Sequence, residues 1–373
     1  MHGRQRTFGV EEELLLVRQH DGRPTPAAVQ VVSAAQAALV ADDSSFGVQS
    51  VEHEFKQEQA EIGSEPCLES TDLAAQLRAL RAAAATAAAS SNAQIVAIAT
   101  SPLETGPTPT EDERYARMAD RFGLLARQQL TCGQHVHVRI SSRAEGVAVL
   151  DRIGPWLPIV LALSSNSPLW QGQDTDYSSF RTIMWGLWPT SGPTGLFHDE
   201  AGYDAAIGDL IATGAAMDDG MIYFDARLSA RYPTVEIRVA DVCTDVDDAV
   251  LLAAVCRALV DTAAVQWRAG LPAPGVLPQL QRAAVWRAAR FGLTGELVNP
   301  LRPAAIPAAE AVAELSEWIA PALENNGDAV LVTDGIQRLL SSGTGAERQR
   351  AAHRVSGGDL AAVVADAARR TLA

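Results

Sequence analysis

The alternation of apolar and polar residues along the chain predicts a β-sheet of about six strands. The first strand covers residues 7–18, which are rich in β-formers and end in the apolar run from Leu14 to Val17, before an Asp21-Gly22 turn. Residues 47–62 alternate only in part and predict a strand with one polar face. The remaining strands are expected at residues 94–100, 131–140, 220–225 and 234–240, with the last two paired as a hairpin.

Helical periodicity separates these strands and dominates the C-terminal third. Ser70, Thr71 and Asp72 are expected to cap a long helix that ends near Ser90, whose alanine-rich sequence favours helix over disorder. The segment from Asn166 to Phe197 predicts no regular element and is typical of a functional loop. Other helices are expected at residues 26–40, 111–129, 145–153 and 155–164, and through most of 245–373.

The order of these elements predicts the α+β class. An antiparallel sheet, mainly within residues 7–240, is expected to carry its helices mainly on one face and to be followed by a helical C-terminal part, 245–373. No internal repeat and no Pro- or Ser-rich linker divides the chain. We therefore predict a single domain over residues 1–373.

Composition narrows the function classes. Hydrophobic residues make up 47% and charged residues 20% of the 373 residues, as in a soluble globular protein. The formal charge of −15 argues against a nucleic-acid partner, which a basic face would mark. Because we find neither a signal-peptide pattern nor an uncharged run of membrane-spanning length, we expect no membrane partner and a cytoplasmic location.

The basic and sulfur-containing residues exclude several site types. Lys56 is the only lysine among 30 basic residues, so the Gly-Lys-Ser/Thr of a P-loop is absent and a Schiff-base lysine is excluded at every other position. Nucleotide phosphates, if bound, must be held by arginine, backbone and metal. The four cysteines show no Cys-x-x-Cys spacing, which argues against a zinc knot or a redox pair.

Three consecutive carboxylates on the first strand are the first candidate for chemistry. Glu11 and Glu13 lie two residues apart and share one face, whereas Glu12 points to the other face, where an arginine would pair with it. Carboxylates on a buried strand repel one another unless a cation pairs with them, and oxygen ligands suit Mg²⁺ or Mn²⁺. A solvated acidic edge strand explains the triplet equally well at this point.

Two more strands carry candidate metal ligands. Glu58 and Glu61 lie in the second polar strand, where an exposed polar face is the simpler interpretation. His135 and His137 follow a glycine and share a strand face, so they can chelate a metal, or one can bind metal while the other contacts a phosphate.

A fourth strand places Glu236 and Arg238 on one face. An ordinary salt bridge accounts for such a pair. Beside a Mg²⁺ site, however, the carboxylate would bind the metal and the arginine would stabilise a transferring phosphoryl group. Asp225 and Arg227 alternate on the strand expected to pair with this one, so they are also candidates to point into the site.

The long loop is a candidate substrate pocket. Residues 166–193 hold three of the seven tryptophans together with Asn, Asp and Arg181. Aromatic residues with a few polar groups suit a small-molecule pocket, although an aromatic-packed structural loop has the same composition.

Five motifs are spread over these strands and this loop: Gly9 to Glu13, Cys132 to His137, Asn166 to Trp170, Trp188 to Pro193, and Pro233 to Asp241. Together they resemble the YbdK-type carboxylate–amine ligases of the glutamate–cysteine ligase type 2 family, which is related to glutamine synthetase. The resemblance runs from about residue 7 to residue 260. It departs from the family pattern at Gly63 to Cys67, which indicates that this edge of the pocket differs.

The resemblance implies a glutamine-synthetase-like antiparallel sheet that holds ATP and Mg²⁺, with Mn²⁺ as a substitute. A carboxylate, expected to be the γ-carboxylate of glutamate, would attack the γ-phosphate of ATP to give an acyl phosphate and ADP. An amine, cysteine or another, would then displace phosphate to form an amide. The implied partners are thus ATP and small-molecule acid and amine substrates, and a homodimer is expected because family members often form dimers.

The resemblance also implies roles for individual residues. The metal ligands would be Glu11, Glu13, Glu61, His135 and Glu236. Catalysis would fall to Glu236, Arg238 and Arg181, with Arg238 on the γ-phosphate. His137, Arg227 and Arg181 would contact phosphate or the substrate carboxylate.

Three other functions remain open on the residues alone. A ligase of secondary metabolism would use the same chemistry with a different acid or amine. A metal-dependent hydrolase would use the Glu/His set to activate water, although the arginines and the aromatic loop favour nucleotide chemistry. A non-catalytic member would keep the fold, but every proposed ligand is present.

Overall fold

Seven antiparallel strands form one sheet in the computed structural model, which describes residues 5–41 and 51–373. The strands are β1 (Phe8–Arg18), β2 (Val51–His53), β3 (Gln59–Gly63), β4 (Ala93–Val96), β5 (Gly133–Arg139), β8 (Ala226–Leu228) and β9 (Thr234–Asp241). Their order across the sheet is β2-β3-β1-β5-β9-β8, and β4 pairs with the second half of β1. Two separate hairpins join β6 (Leu169–Trp170) to β7 (Gln173–Asp174) and β10 (Glu296–Val298) to β11 (Ala305–Pro307).

Helices connect these strands and make up most of the C-terminal third. The N-terminal half contains α1 (Ala28–Ala41), α2 (Ser70–Ala89), α3 (Glu113–Phe122), α4 (Leu124–Gln128), α5 (Arg143–Ile153), α6 (Leu157–Ser164) and α7 (Phe180–Trp185). The remainder contains α8 (Glu200–Ala212), α9 (Val246–Arg268), α10 (Pro278–Phe291), α11 (Ala308–Asn326), α12 (Ala329–Ser342), α13 (Gly345–Val355) and α14 (Leu360–Thr371).

Strict alternation on the central strands separates an apolar face from a polar face. On β9, Val235, Ile237 and Val239 are buried in the main core, which also contains most of α9. The residues between them point to the opposite side of the sheet. The α+β class and the packing of helices mainly on one face are therefore confirmed, with seven strands in place of about six.

Glu12 lies on the helix-packed face, as its position in the triplet predicts. Its carboxylate receives two hydrogen bonds from Arg81 of α2, from Nε at 2.8 Å and from Nη2 at 2.7 Å. Both side chains are buried from solvent. Arg81 also donates to three backbone carbonyls, so it joins the first strand, the segment that follows β9 and the C-terminal helix.

Several predicted boundaries are wrong. The helix expected at 111–129 is interrupted at Gly123, whose φ of +60° ends α3 before α4 begins. The strand expected at 220–225 lies at Ala226–Leu228, because residues before it form a 3₁₀ turn, Asp219–Met221. Ser70 is the first residue of α2 rather than its cap, and its hydroxyl donates to Asp328.

Two longer segments contain more structure than their patterns predict. The polar strand expected at 47–62 is two strands, β2 and β3, separated by a turn around Lys56; residues 47–50 lie outside the described residues. The loop from Asn166 to Phe197 contains the β6–β7 hairpin and α7.

The stretch Arg143–Ser164, which includes α5 and α6, is long and apolar enough to cross a membrane. In this structure 94% of its most apolar window is buried inside the protein. Such burial is typical of helices that pack inside a protein core.

Candidate active site

The strand register lines up the predicted site residues across the open face of the sheet. Glu13 pairs with Glu61, Glu11 pairs with His135, and Glu236 pairs with both His137 and Arg227. Because alternate residues of neighbouring strands share a face, these side chains form one continuous polar row. Except for His137, the residues of this row line a cleft of about 830 Å³.

A β-bulge brings Arg238 into this row. Gln134 pairs with Ala240 and Val136 with Ile237, so two residues of β9 stand opposite His135 alone. One of them is Arg238, whose Nη1 lies 3.4 Å from Nδ1 of His135. The predicted arginine and the predicted metal-ligating histidine are therefore neighbours.

Carboxylate and imidazole atoms converge in two overlapping groups. Ligand atoms of Glu11, His135 and Glu236 lie within 4.8 Å of one another, and so do those of Glu13, Glu61 and His135. Nε2 of His135 is buried, lies 3.7 Å from Oε1 of Glu13 and has no hydrogen-bond partner among the described residues. Oxygen-rich sets with one imidazole fit Mg²⁺ or Mn²⁺, and an unpartnered ring nitrogen aimed into the set supports that fit.

Repulsion between the buried carboxylates of this row supports a cation site. Burial, together with the charges of Glu11, Glu54 and Glu13, raises the pKa of Glu61 well above its ordinary value. Burial also raises the pKa of Glu13, against the opposing charge of Arg181 and a hydrogen bond from Gly133 N. Carboxylates held in this state are stabilised by a divalent cation between them.

The two histidines of β5 differ in role, and both affect the charge of Glu11. Burial and the charge of Arg238 lower the pKa of His135 to about 4, so its ring is neutral and able to bind metal. Burial alone would raise the pKa of Glu11, but hydrogen bonds from His135 and His137 hold it well below its ordinary value. Nε2 of His137 lies 3.3 Å from Oε1 of Glu11.

Glu236 is bound by two arginines, so the salt bridge that the sequence left open is present. Nε of Arg227 donates to Oε2 of Glu236 at 2.7 Å, and Arg238 donates to Oε1. Burial alone would raise the pKa of Glu236, but these two guanidinium groups hold it far below its ordinary value. Glu236 is therefore an ionised carboxylate, available to a metal as well as to Arg238.

Arg181 does not line the cleft. Its guanidinium instead lies against Gly133 of β5, with Nη2 and Nη1 3.3 Å and 3.4 Å from the carbonyl oxygens of Arg238 and Val239. It lines a second cavity, of about 390 Å³, next to the cleft. Its charge still acts on Glu13.

The cleft also contains residues that the sequence did not single out. Glu54 is hydrogen-bonded to Glu61, and burial raises its pKa. The two-residue spacing of Glu52, Glu54 and Lys56 was the available signal, but the break between β2 and β3 hides it. Glu58, which the sequence offers as a candidate together with Glu61, does not line the cleft. Its carboxylate accepts a hydrogen bond from the backbone N of Thr108 at 2.9 Å.

Lys56 lies in the wall of the cleft. It is 1% exposed, its Nζ donates to the carbonyl of Arg127 at 3.1 Å, and burial lowers its pKa to about 8. Within the described residues it is the one Lys or Arg of the cleft lining without a carboxylate within 4.0 Å.

Comparison with known proteins identifies the family. Residues 7–366 match the model of glutamate-cysteine ligase family 2. A candidate glutamate–cysteine ligase 2-1 of Paenarthrobacter aurescens is 47% identical over 93% of this chain and 90% of that protein. A candidate glutamate–cysteine ligase 2-2 of Frankia alni is 49% identical over 93% and 92%.

Solved structures agree on the fold. The glutamate–cysteine ligase of Francisella tularensis, solved with AMP, superposes with a TM-score of 0.68 at 13% identity over 100% of this chain and 90% of that one. A bifunctional glutathione synthetase of Pasteurella multocida also gives 0.68, at 14% identity over 98% and 52%. The fold is thus that of the glutamine-synthetase-like ligases, and the chain belongs to glutamate–cysteine ligase family 2.

Proposed function

We propose that this amide ligase of the glutamate–cysteine ligase type uses ATP and Mg²⁺ to activate the γ-carboxylate of glutamate as an acyl phosphate. Cysteine or another amine then displaces phosphate to form the amide. The observation that carries the proposal is that two sets of carboxylate and imidazole ligand atoms share His135, which lies beside Arg238.

The chemistry needs charge neutralisation more than a protein nucleophile. A carboxylate does not react with an amine at neutral pH, so phosphorylation must supply a leaving group. Phosphoryl transfer depends on positioning and on stabilising the negative charge of the transferring group. A bound Mg²⁺ would supply part of that neutralisation, and we assign its ligands as Glu11, Glu13, Glu61, His135 and Glu236.

The arginines supply the rest. Arg238, held by Glu236 and adjacent to His135, is assigned to the γ-phosphate. Arg227 shares Glu236 and lines the same cleft, so it is assigned to a phosphate or to the substrate carboxylate. His137, whose Nε2 lies 3.3 Å from Oε1 of Glu11, is assigned to the same groups. Arg181 faces the second cavity, which supports a role toward a substrate there rather than toward the nucleotide phosphates.

Product analysis with single omissions tests the proposal. The protein is incubated with ATP, Mg²⁺, glutamate and a panel of amines that includes cysteine, and ADP and amide are measured. ADP that forms only when acid and amine are both present supports the ligase. Phosphate release from simple phosphate esters without ATP, or ADP release independent of any acid, contradicts it.

A further inference from the structure

The second cavity adjoins the cleft and shares part of its wall. Trp185, Trp188, Tyr223 and Arg238 line both spaces. The ring centroid of Tyr223 lies 4.7 Å from the ring centroid of Trp185 and 5.5 Å from that of Trp188, so the shared wall is a packed aromatic cluster. A volume of about 390 Å³ and aromatic walls are typical of a site for a small organic molecule.

Buried polar atoms without partners are concentrated around this cavity. Among the described residues, four atoms of lining side chains have no hydrogen-bond partner: Nε of Arg181, Nε1 of Trp188, Oδ2 of Asp225 and Nε of Arg238. A buried polar atom without a hydrogen-bond partner destabilises the fold. Several around one cavity indicate that a polar ligand completes them.

Asp225 is the unusual member of this group. No described residue donates a hydrogen bond to the carboxylate of Asp225 or places a cationic nitrogen within 4.0 Å of it, and its Oδ2 is buried. Burial raises its pKa to about 7, against the opposing charge of Arg181. Arg238, Tyr223 and the exposed Arg282 are the other charged or titratable groups that line this cavity with it.

The surroundings of Asp225 suit one kind of ligand, a protonated amine. An unpaired carboxylate next to aromatic rings is complementary to a protonated amine, because the carboxylate pairs with the charge and the rings contact the carbon skeleton. The unpartnered N–H groups of Arg181 and Trp188 can at the same time donate to a carboxylate on the same molecule.

We propose that the second cavity is the binding site for the amine substrate, with Asp225 holding the ammonium group and accepting one of its protons. This inference rests on the proposed function. The proton passes from R–NH₃⁺ to the carboxylate of Asp225. The free amine then forms the C–N bond at the acyl carbon as the C–O bond to phosphate breaks, and its remaining extra proton leaves with phosphate or solvent.

Hydroxylamine separates this role from the rest of the reaction. It is largely unprotonated at neutral pH, so it captures an acyl phosphate without needing a base. In Asp225→Asn, amide formation from glutamate and cysteine is expected to fall by about 100-fold or more, the usual loss on removing a general base. Hydroxamate formation from glutamate and hydroxylamine is expected to stay within about threefold of the unaltered protein, well below that general-base loss. Asp209→Asn, on the exposed side of α8, is the matched control and should change neither rate.

Each other result overturns the inference in a recognisable way. Equal loss of both products from a folded variant would assign Asp225 to acid activation. A raised KM for glutamate in both reactions would place the ammonium group of the acid, not of the amine, beside Asp225. Should Asp225→Asn fail to fold, Asp225→Glu keeps the charge and is expected to reduce the amide rate more than the hydroxamate rate. An unaltered protein that makes neither product with ATP contradicts the proposed function itself.

Discussion

The buried pair between Glu12 and Arg81 predicts a large and specific loss of stability when it is broken. Arg81→Met removes a guanidinium that is 1% exposed from a carboxylate that is fully buried. It also removes the donor from the carbonyl oxygens of Cys243, Thr244 and Thr371. Removing one partner of a buried pair costs about 3–5 kcal/mol, because the other charge stays buried without compensation.

The same helix supplies the matched control. Arg78 lies three residues before Arg81 and forms an ion pair with Asp247 at 2.6 Å, but its side chain is 47% exposed and that of Asp247 is 63% exposed. Such pairs contribute about 0–1 kcal/mol. Arg78→Met should therefore cost far less, although its ion-pair distance is as short.

Denaturant unfolding followed by circular dichroism measures both variants. The free energy of unfolding should fall about 3–5 kcal/mol for Arg81→Met and by less than about 1 kcal/mol for Arg78→Met. The double variant Arg81→Met/Glu12→Leu should recover much of the loss, since it leaves no unpaired charge. Equal effects of the two single variants would refute the reasoning, because burial would then not determine the cost.

Three further predictions concern the cleft. Glu236→Gln and Arg238→Ala should each lower ATP turnover by about 100-fold or more while the circular dichroism spectrum stays unchanged. Near-normal ADP release from either variant would show that the substituted residue has no catalytic role. Glu61→Gln should raise the melting temperature of the metal-free protein at pH 7, because the raised pKa of Glu61 means that its ionised form destabilises the fold. The same substitution should abolish the rise in melting temperature that Mn²⁺ produces in the unaltered protein. The affinity for Mn²⁺, measured by calorimetry, should weaken as pH falls from about 8 to about 5, because protons compete with the metal for Glu13 and Glu61, whose pKa values are raised. An affinity independent of pH would contradict the assignment of these two residues as metal ligands.

The two-residue period of the strands made most of the site predictable. Alternation alone separates Glu11 and Glu13 from Glu12, and the structure has Arg81 on the Glu12 side. The same rule puts His135 and Glu236 on the open face, where the register brings them together. Such local periodicity does not depend on which strands become neighbours.

The remaining features depend on contacts between distant segments. The family resemblance groups Arg181 with the phosphate-binding residues, but α7 places it in the lining of the second cavity. The unpaired state of Asp225 depends on the packing of α7 and β9 around it, which no local pattern encodes. Lys56 and Glu54 enter the cleft only because the second polar strand breaks into β2 and β3.

Oxygen transfer from the acid to phosphate tests the central claim most directly. Glutamate labelled with oxygen-18 in its γ-carboxylate is turned over with ATP, Mg²⁺ and the best amine of the panel, and the released phosphate is examined by mass spectrometry. An acyl phosphate intermediate predicts one labelled oxygen in each phosphate formed together with amide. Unlabelled phosphate at the same yield of amide would contradict activation of the carboxylate by phosphorylation.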